Sequence, residues 1–188
     1  MMKKIAILAS GSGTNAERII RYFSTHPSIG VDMVLSNRSD AYVIRRAEAL
    51  QIPTRVFTRQ ELADPDGIAS LLKSRKISLV VLAGFLWLVP PALLDAFPQK
   101  IINIHPALLP DYGGKKMYGS RVHQAVIDAG ETESGITIHQ VDAQYDRGKI
   151  LFQARCPVVP NDTADILAQR IHQLEYQHFP KVIEQLLS

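Results

Sequence analysis

The chain has one cysteine in 188 residues, so no internal disulfide can form, which suits a reducing, cytoplasmic compartment. Cys156 lies in the strand-like run ILFQARCPV, where a buried structural thiol is the simplest reading. Long apolar runs are missing as well. The most apolar segment, LVVLAGFLWLVP, falls short of the roughly 20 residues that span a bilayer. At the start, the apolar stretch IAILA is shorter than the core of about 7–15 residues in a secretory leader. Neither secretion nor membrane insertion is expected. Nor is there a run of like charge: Lys and Arg number 21 against 18 Asp and Glu, and they are scattered. That argues against a nucleic-acid partner and leaves anionic small molecules as compatible ones. No repeat, linker or low-complexity tract interrupts the chain, so one domain over residues 1–188 is expected. Monomer and homodimer both remain open.

What is present is an alternation of short apolar runs with amphipathic stretches, the pattern of strands joined by crossover helices. Strands are read at IAILA, VDMVLS, TRVF, LVVLAG, IINI, GITIHQV and ILFQA. Helices are read at AERIIRYF, AYVIRRAEAL, DGIASLLKS, PPALLDAF and SRVHQAVIDAG. A long final helix starts at Asp162 or Thr163 and is expected to bend or break near Pro180. The early strands are uniformly apolar, as strands buried on both faces should be. The later ones alternate, with Thr137 and His139 set against Ile136 and Ile138, which suggests an antiparallel edge. The fold class is therefore α/β: a Rossmann-like, mostly parallel twisted sheet with helices on both faces and an antiparallel edge.

After the first strand comes SGSGTN, Ser10 to Asn15, directly before a helix. Small residues let the backbone approach a ligand, and the free amides of a helix start face an anion. Gly11, Gly13 and Ala16 also fit the dinucleotide pattern G-x-G-x-x-A. That pattern wants an acidic residue about 20 positions on to hold a ribose, and this chain offers Ser36, Asn37 and Arg38. NAD is thereby disfavoured, NADP through Arg38 stays open, and a phosphate monoester fits better. A tight turn with no ligand is the plain alternative.

In IINIHPALLP, Asn103 and His105 occupy alternate positions of a short strand and share a face; Pro106 ends the strand. An amide beside an imidazole suits acyl transfer, the amide donating to a developing oxyanion while the imidazole handles protons. A hydrogen-bonded histidine in a turn explains the same residues. Downstream, VDAQYDRGKILFQA places Asp142 and Asp146 between two strands. Either is an ordinary solvated carboxylate unless the chain folds it back onto His105.

Taken together, GSGTN, LVVLAGF, NIHPALLPDYGG, ESGITIHQVDAQYDRGKILFQ and RIHQLEYQHFP resemble the folate-dependent formyltransferases, in family order and over nearly the whole chain. The resemblance implies transfer of the formyl group of 10-formyltetrahydrofolate to the amine of glycinamide ribonucleotide, in purine biosynthesis. It implies no metal. Within it, Asn103 would hydrogen-bond the formyl oxygen, His105 would supply charge or a proton as a cation, and Asp146 would raise the His105 pKa and shuttle a proton. Gly13, Thr14 and Asn15 would hold the substrate phosphate and Glu175 the ribose hydroxyls. The folate would lie along Phe85, Leu86, Trp87, Leu88 and Val89, with Asn103 also at its formyl end. Arg59 would meet the folate tail or remain a surface residue. The N-terminal half would thus bind the nucleotide, and the C-terminal half would bind folate and carry the chemistry. KKMYGSRVH departs from the shorter loop many members carry, so Lys115, Lys116 and Met117 lack counterparts; His123 has one. A cis Leu109–Pro110 bond is a further expectation. The alternatives are a formyltetrahydrofolate hydrolase or other formyltransferase, which usually carry an extra domain, and a non-catalytic nucleotide-binding module of the same fold.

Overall fold

The computed structural model describes residues 2–188. Seven strands, β1 (Lys3–Ala9), β2 (Ile29–Ser36), β3 (Thr54–Val56), β4 (Leu79–Leu82), β5 (Ile101–His105), β6 (Glu133–Gln140) and β7 (Ile150–Pro157), form one sheet in the order β3-β2-β1-β4-β5-β6-β7. The pairs from β3 through β5 are parallel, and β6 and β7 add an antiparallel edge. The helices are α1 (Thr14–Phe23), α2 (Tyr42–Ala49), α3 (Arg59–Ala63), α4 (Ser70–Ser74), α5 (Pro91–Ala96), α6 (Ser120–Asp128) and α7 (Ala164–Leu187).

The continuous apolar strands follow from burial on both sides. In β1, Ile5, Ile7 and Ala9 face the core beneath α1, α2 and α7, while Ala6 and Leu8 face the one beneath α4 and α5. Each buried aliphatic side chain contributes about 1.5–3 kcal/mol, so neither layer of helices can be shed cheaply.

Three local details were not legible beforehand. The short helix α3 is set by a capping box: Thr58 accepts from the Glu61 amide while the Glu61 carboxylate accepts from the Thr58 amide. The stretch DGIASLLKS is not one regular helix. A π-helical turn, Pro65–Ala69, precedes α4, and Gly67 there has non-helical torsions and abuts the Glu61 carbonyl with no room for a Cβ. The final helix, capped by Thr163, runs unbroken through Pro180. Proline removes the amide that would reach the carbonyl four residues back, and the Tyr176 carbonyl instead accepts from Arg18 Nε at 3.4 Å.

β1 and β4 lie side by side, and the connections that leave them, through α1 to β2 and through α5 to β5, pass to opposite faces of the sheet. Such a switch point opens a crevice at the carboxyl ends of the strands. Here Ser10 N donates to Gly84 O at 3.0 Å, holding the exits of β1 and β4 side by side. The Leu109–Pro110 bond is cis.

Candidate active site

The crevice is a cavity of about 480 Å³ lined by the glycine loop, the ends of β4 and β5, the 114–119 loop, Tyr145 and Asp146, and residues of α6 and α7.

At one end the glycine loop is held by main chain. Gly13 caps α1 with φ 76°, and a Cβ there would fall inside the Val43 side chain. Gly11 O accepts from Val43 N at 3.1 Å, and Arg46 Nε donates to Ser12 O at 2.9 Å while its guanidinium pairs with Glu17. No side chain caps the helix, so its first amides are left for a ligand; Gly13, Thr14 and Asn15 all line the cavity. Arg38, the residue that kept a dinucleotide phosphate open, pairs with Asp40 at 2.8 Å and lies outside the lining.

At the other end the antiparallel edge supplies side chains. The register sets Asn103 opposite His139 and His105 opposite Thr137, so all four share a face. His139 Nδ1 donates to Gln140 O at 2.7 Å, which leaves Nε2 to accept from Asn103 Nδ2 at 3.1 Å. One amide hydrogen of Asn103 remains for a ligand. His105 Nε2 donates to Tyr112 O at 2.8 Å, and its Nδ1 faces Asp146 Oδ2 at 3.6 Å. Asp146 Oδ1 is 3.5 Å from His139 Nε2, and Oδ2 accepts from Gly114 N at 2.8 Å. The fold thus brings Asp146 onto His105, which spacing alone left open.

Asp146 adopts φ 55°, a left-handed geometry that aspartate tolerates better than most residues. Burial pushes its pKa upward, but the adjoining imidazoles of His139 and His105 and the Gly114 amide outweigh it, and the carboxyl lies below its ordinary range. For His105 burial wins: it lowers the pKa further than Asp146 and the Tyr112 carbonyl raise it. Burial therefore disfavours a charged ring in the free protein. Both its nitrogens nevertheless face acceptors, so a proton arriving at Nδ1 finds Asp146 waiting.

Between the two ends sits Glu175, 5% exposed on α7, with Oε2 accepting from Asn15 Nδ2 at 2.9 Å. Burial raises its pKa to about 7 against the pull of Asn15. His172, one turn earlier, and buried His123 of α6 join the same wall; among the described residues His123 Nδ1 has no hydrogen-bond partner.

The expected folate segment divides. Phe85 and Leu86 line the cavity. Leu88 is exposed and lies outside the lining, and Val89 is buried in the core beneath α4 and α5. Trp87 packs edge-on against Phe57, and Arg59 at the start of α3 stacks over it at 4.7 Å; neither Trp87 nor Arg59 lines the cavity. His139, His172 and Tyr145 were not among the expected site residues, and the place of the 114–119 loop, left open by the sequence, is on the cavity wall. His139 alone had a signal, its alternation with Thr137, but its partners depend on strand register.

An uncapped helix start for an anion, with Asp146 3.6 Å from His105 and 3.5 Å from His139, which in turn is 3.1 Å from the Asn103 amide, defines an α/β enzyme of the group-transfer class. The chain belongs to the formyl transferase family, which matches residues 3–183. It is 40% identical to a phosphoribosylglycinamide formyltransferase of Haemophilus influenzae, covering 97% of this chain and 86% of that one. A second, from Bacillus subtilis, is 37% identical over 100% of this chain and 96% of its own length. The crystal structure of phosphoribosylglycinamide formyltransferase from Streptococcus pneumoniae superposes with a TM-score of 0.87 at 37% identity, covering all of both chains.

Proposed function

We propose that this protein transfers the formyl group of 10-formyltetrahydrofolate to the primary amine of glycinamide ribonucleotide, a step of purine biosynthesis, in a reducing, cytoplasmic compartment. The observation that carries the reading is the convergence of Asn103, His105 and Asp146 on a cavity whose opposite end is an uncapped helix start.

The donor supplies an activated formyl carbon. The residues present suit such a molecule: Leu86 lines the cavity and is 42% exposed, apolar surface that a flat ring system would cover. Residues 85–89 carry main-chain groups outside any strand or helix that are placed to read ring edges. At the acceptor end, the amides of Thr14 and Asn15 hold the phosphate and Glu175 holds the ribose hydroxyls. Asn103 directs its free amide hydrogen to the formyl oxygen, where negative charge grows as the amine adds. One such donor is typically worth about 2.7–4 kcal/mol of barrier. The proton that the amine sheds passes to His105 Nδ1, where ionised Asp146 beside that nitrogen and the Tyr112 carbonyl at Nε2 stabilise the imidazolium; His105 then returns the proton to the donor nitrogen as the formyl carbon–nitrogen bond breaks and tetrahydrofolate leaves. The neutral resting state of His105 makes this stabilisation specific to the transition state, where it accelerates the reaction.

The test mixes protein, 10-formyltetrahydrofolate and glycinamide ribonucleotide and follows tetrahydrofolate absorbance. An acceptor-dependent signal is expected. Formate release at the same rate without acceptor would identify a hydrolase instead, and no turnover at all would leave a binding module.

A further inference from the structure

The 114–119 loop forms a wall of the cavity that also contains the glycine loop, and it contributes Lys115 and Lys116. Its root is fixed, since Gly114 N donates to Asp146 and Met117 N closes a turn onto Gly114 O at 3.1 Å. Three of its residues have positive φ: Gly114 at 99°, Lys116 at 75° and Gly119 at 59°. Glycine adopts such torsions freely, while lysine is strained there. Lysine thus stands at a place where the backbone favours glycine, and strain held at a site wall points to a use for the side chain. The carboxylates lining the cavity do not explain it, because Asp146 is engaged by His105, His139 and Gly114 and Glu175 by Asn15. Neither lining carboxylate is therefore free to pair with Lys115 or Lys116. The amides at the start of α1 can satisfy only part of a dianionic phosphate, and ammonium charges lining the same cavity would complete its neutralisation.

We infer that Lys116, assisted by Lys115, is a specificity-determining residue that selects the phosphorylated form of the acceptor. This rests on the function proposed above and assigns the 114–119 loop a place in it. The residue trades backbone ease for charge, so removing it should separate stability from recognition.

Lys116→Gly and Lys116→Arg are compared with the parent protein in steady-state kinetics and in thermal unfolding. Both glycinamide ribonucleotide and its dephosphorylated riboside serve as acceptors. In Lys116→Gly the KM for the ribonucleotide should rise about tenfold, the scale of one charge-assisted hydrogen bond. The KM for the riboside and for the donor should not change, and the Tm should be equal or higher. Lys116→Arg should retain most of the affinity, and the parent's preference for the ribonucleotide should weaken with added salt. An unchanged ribonucleotide KM in Lys116→Gly, a rise carried by the donor, or an equal rise for both acceptors would each overturn the inference. If the parent protein transfers formyl to neither acceptor, the functional reading fails first. Direct titration of inorganic phosphate into parent and Lys116→Gly then still tests the lysine, with equal affinities refuting it.

Discussion

The phosphate end of the cleft is made of main chain on a rigid parallel sheet: glycines, helix-start amides, and α2 packed so closely on Gly13 that no Cβ fits. The reacting end is made of side chains, drawn from β5, β6 and the loop before β7 and joined by a network from the Gln140 carbonyl through His139 to Asn103. Main chain gives a site that tolerates little change of shape but holds its charge pattern at any pH. Side chains give a site whose chemistry one substitution can delete while the fold survives. The two ends should therefore fail in opposite ways.

The largest effect is expected where chemistry is deleted. Asn103→Ala should lower kcat by about 100- to 1,000-fold, the usual cost of one oxyanion donor, with a Tm within a few degrees of the parent. His105→Ala and Asp146→Asn should fall in the same range or below. Near-normal turnover in the His105 variant would break the comparison.

The converse is expected at the glycine loop. Gly13→Ala places a methyl group inside Val43 at a positive φ, a combination of clash and strain that costs about 2–3 kcal/mol. It should lower the Tm by roughly 4–12 °C for a chain of this size and raise the KM for the ribonucleotide. A stable Gly13→Ala protein with a kcat defect alone would show that the loop does something other than hold an anion.

How much of this was readable beforehand follows the same division. The glycine loop is contiguous, so six adjacent residues predicted it, and the strand pattern predicted all seven strands. The reacting end is assembled across a register. Asn103 and His105 could be read as neighbours, but His139 becomes their partner only because β6 runs antiparallel and pairs Asn103 with His139. Asp146 reaches His105 because the chain closes tightly behind it: Gln140 N donates to Lys149 O at 2.8 Å, and Gly148 lies against the Gln140 carbonyl with no room for a Cβ. The resting state of His105 is hidden for a similar reason, because a sequence shows the nearby carboxylate and not the burial that outweighs it. Of residues 85–89, composition could not separate Val89, which packs in the core, from Leu86, which faces the cavity.

His139→Ala sharpens the comparison from within the network. It removes the acceptor that orients Asn103 without touching the reacting atoms, so kcat should fall about tenfold with the KM values little changed. A loss in thermal stability alone would make His139 a packing residue.

The smallest effect concerns the junction between the ends. Glu175 has its pKa raised to about 7 in the fold against an ordinary 4.5, so the folded state binds its proton more tightly than the unfolded chain does. That stabilises the fold fully below about pH 4.5 and is lost as pH rises toward 7. Glu175→Gln should therefore melt a few degrees above the parent at pH 8, with the gap closing toward pH 5, while its KM for the ribonucleotide rises. A gap independent of pH would contradict the assignment.

The central claim is that His105 and Asp146 act as one unit on the proton that the acceptor amine sheds. Single-turnover formyl transfer by the parent, His105→Ala, Asp146→Asn and the double variant tests it directly. The account predicts a double variant no more than a few-fold slower than the worse single, since residues that act together are strongly non-additive. A double variant slowed by the full product of the two single losses would mean that the two side chains work independently, and would contradict it.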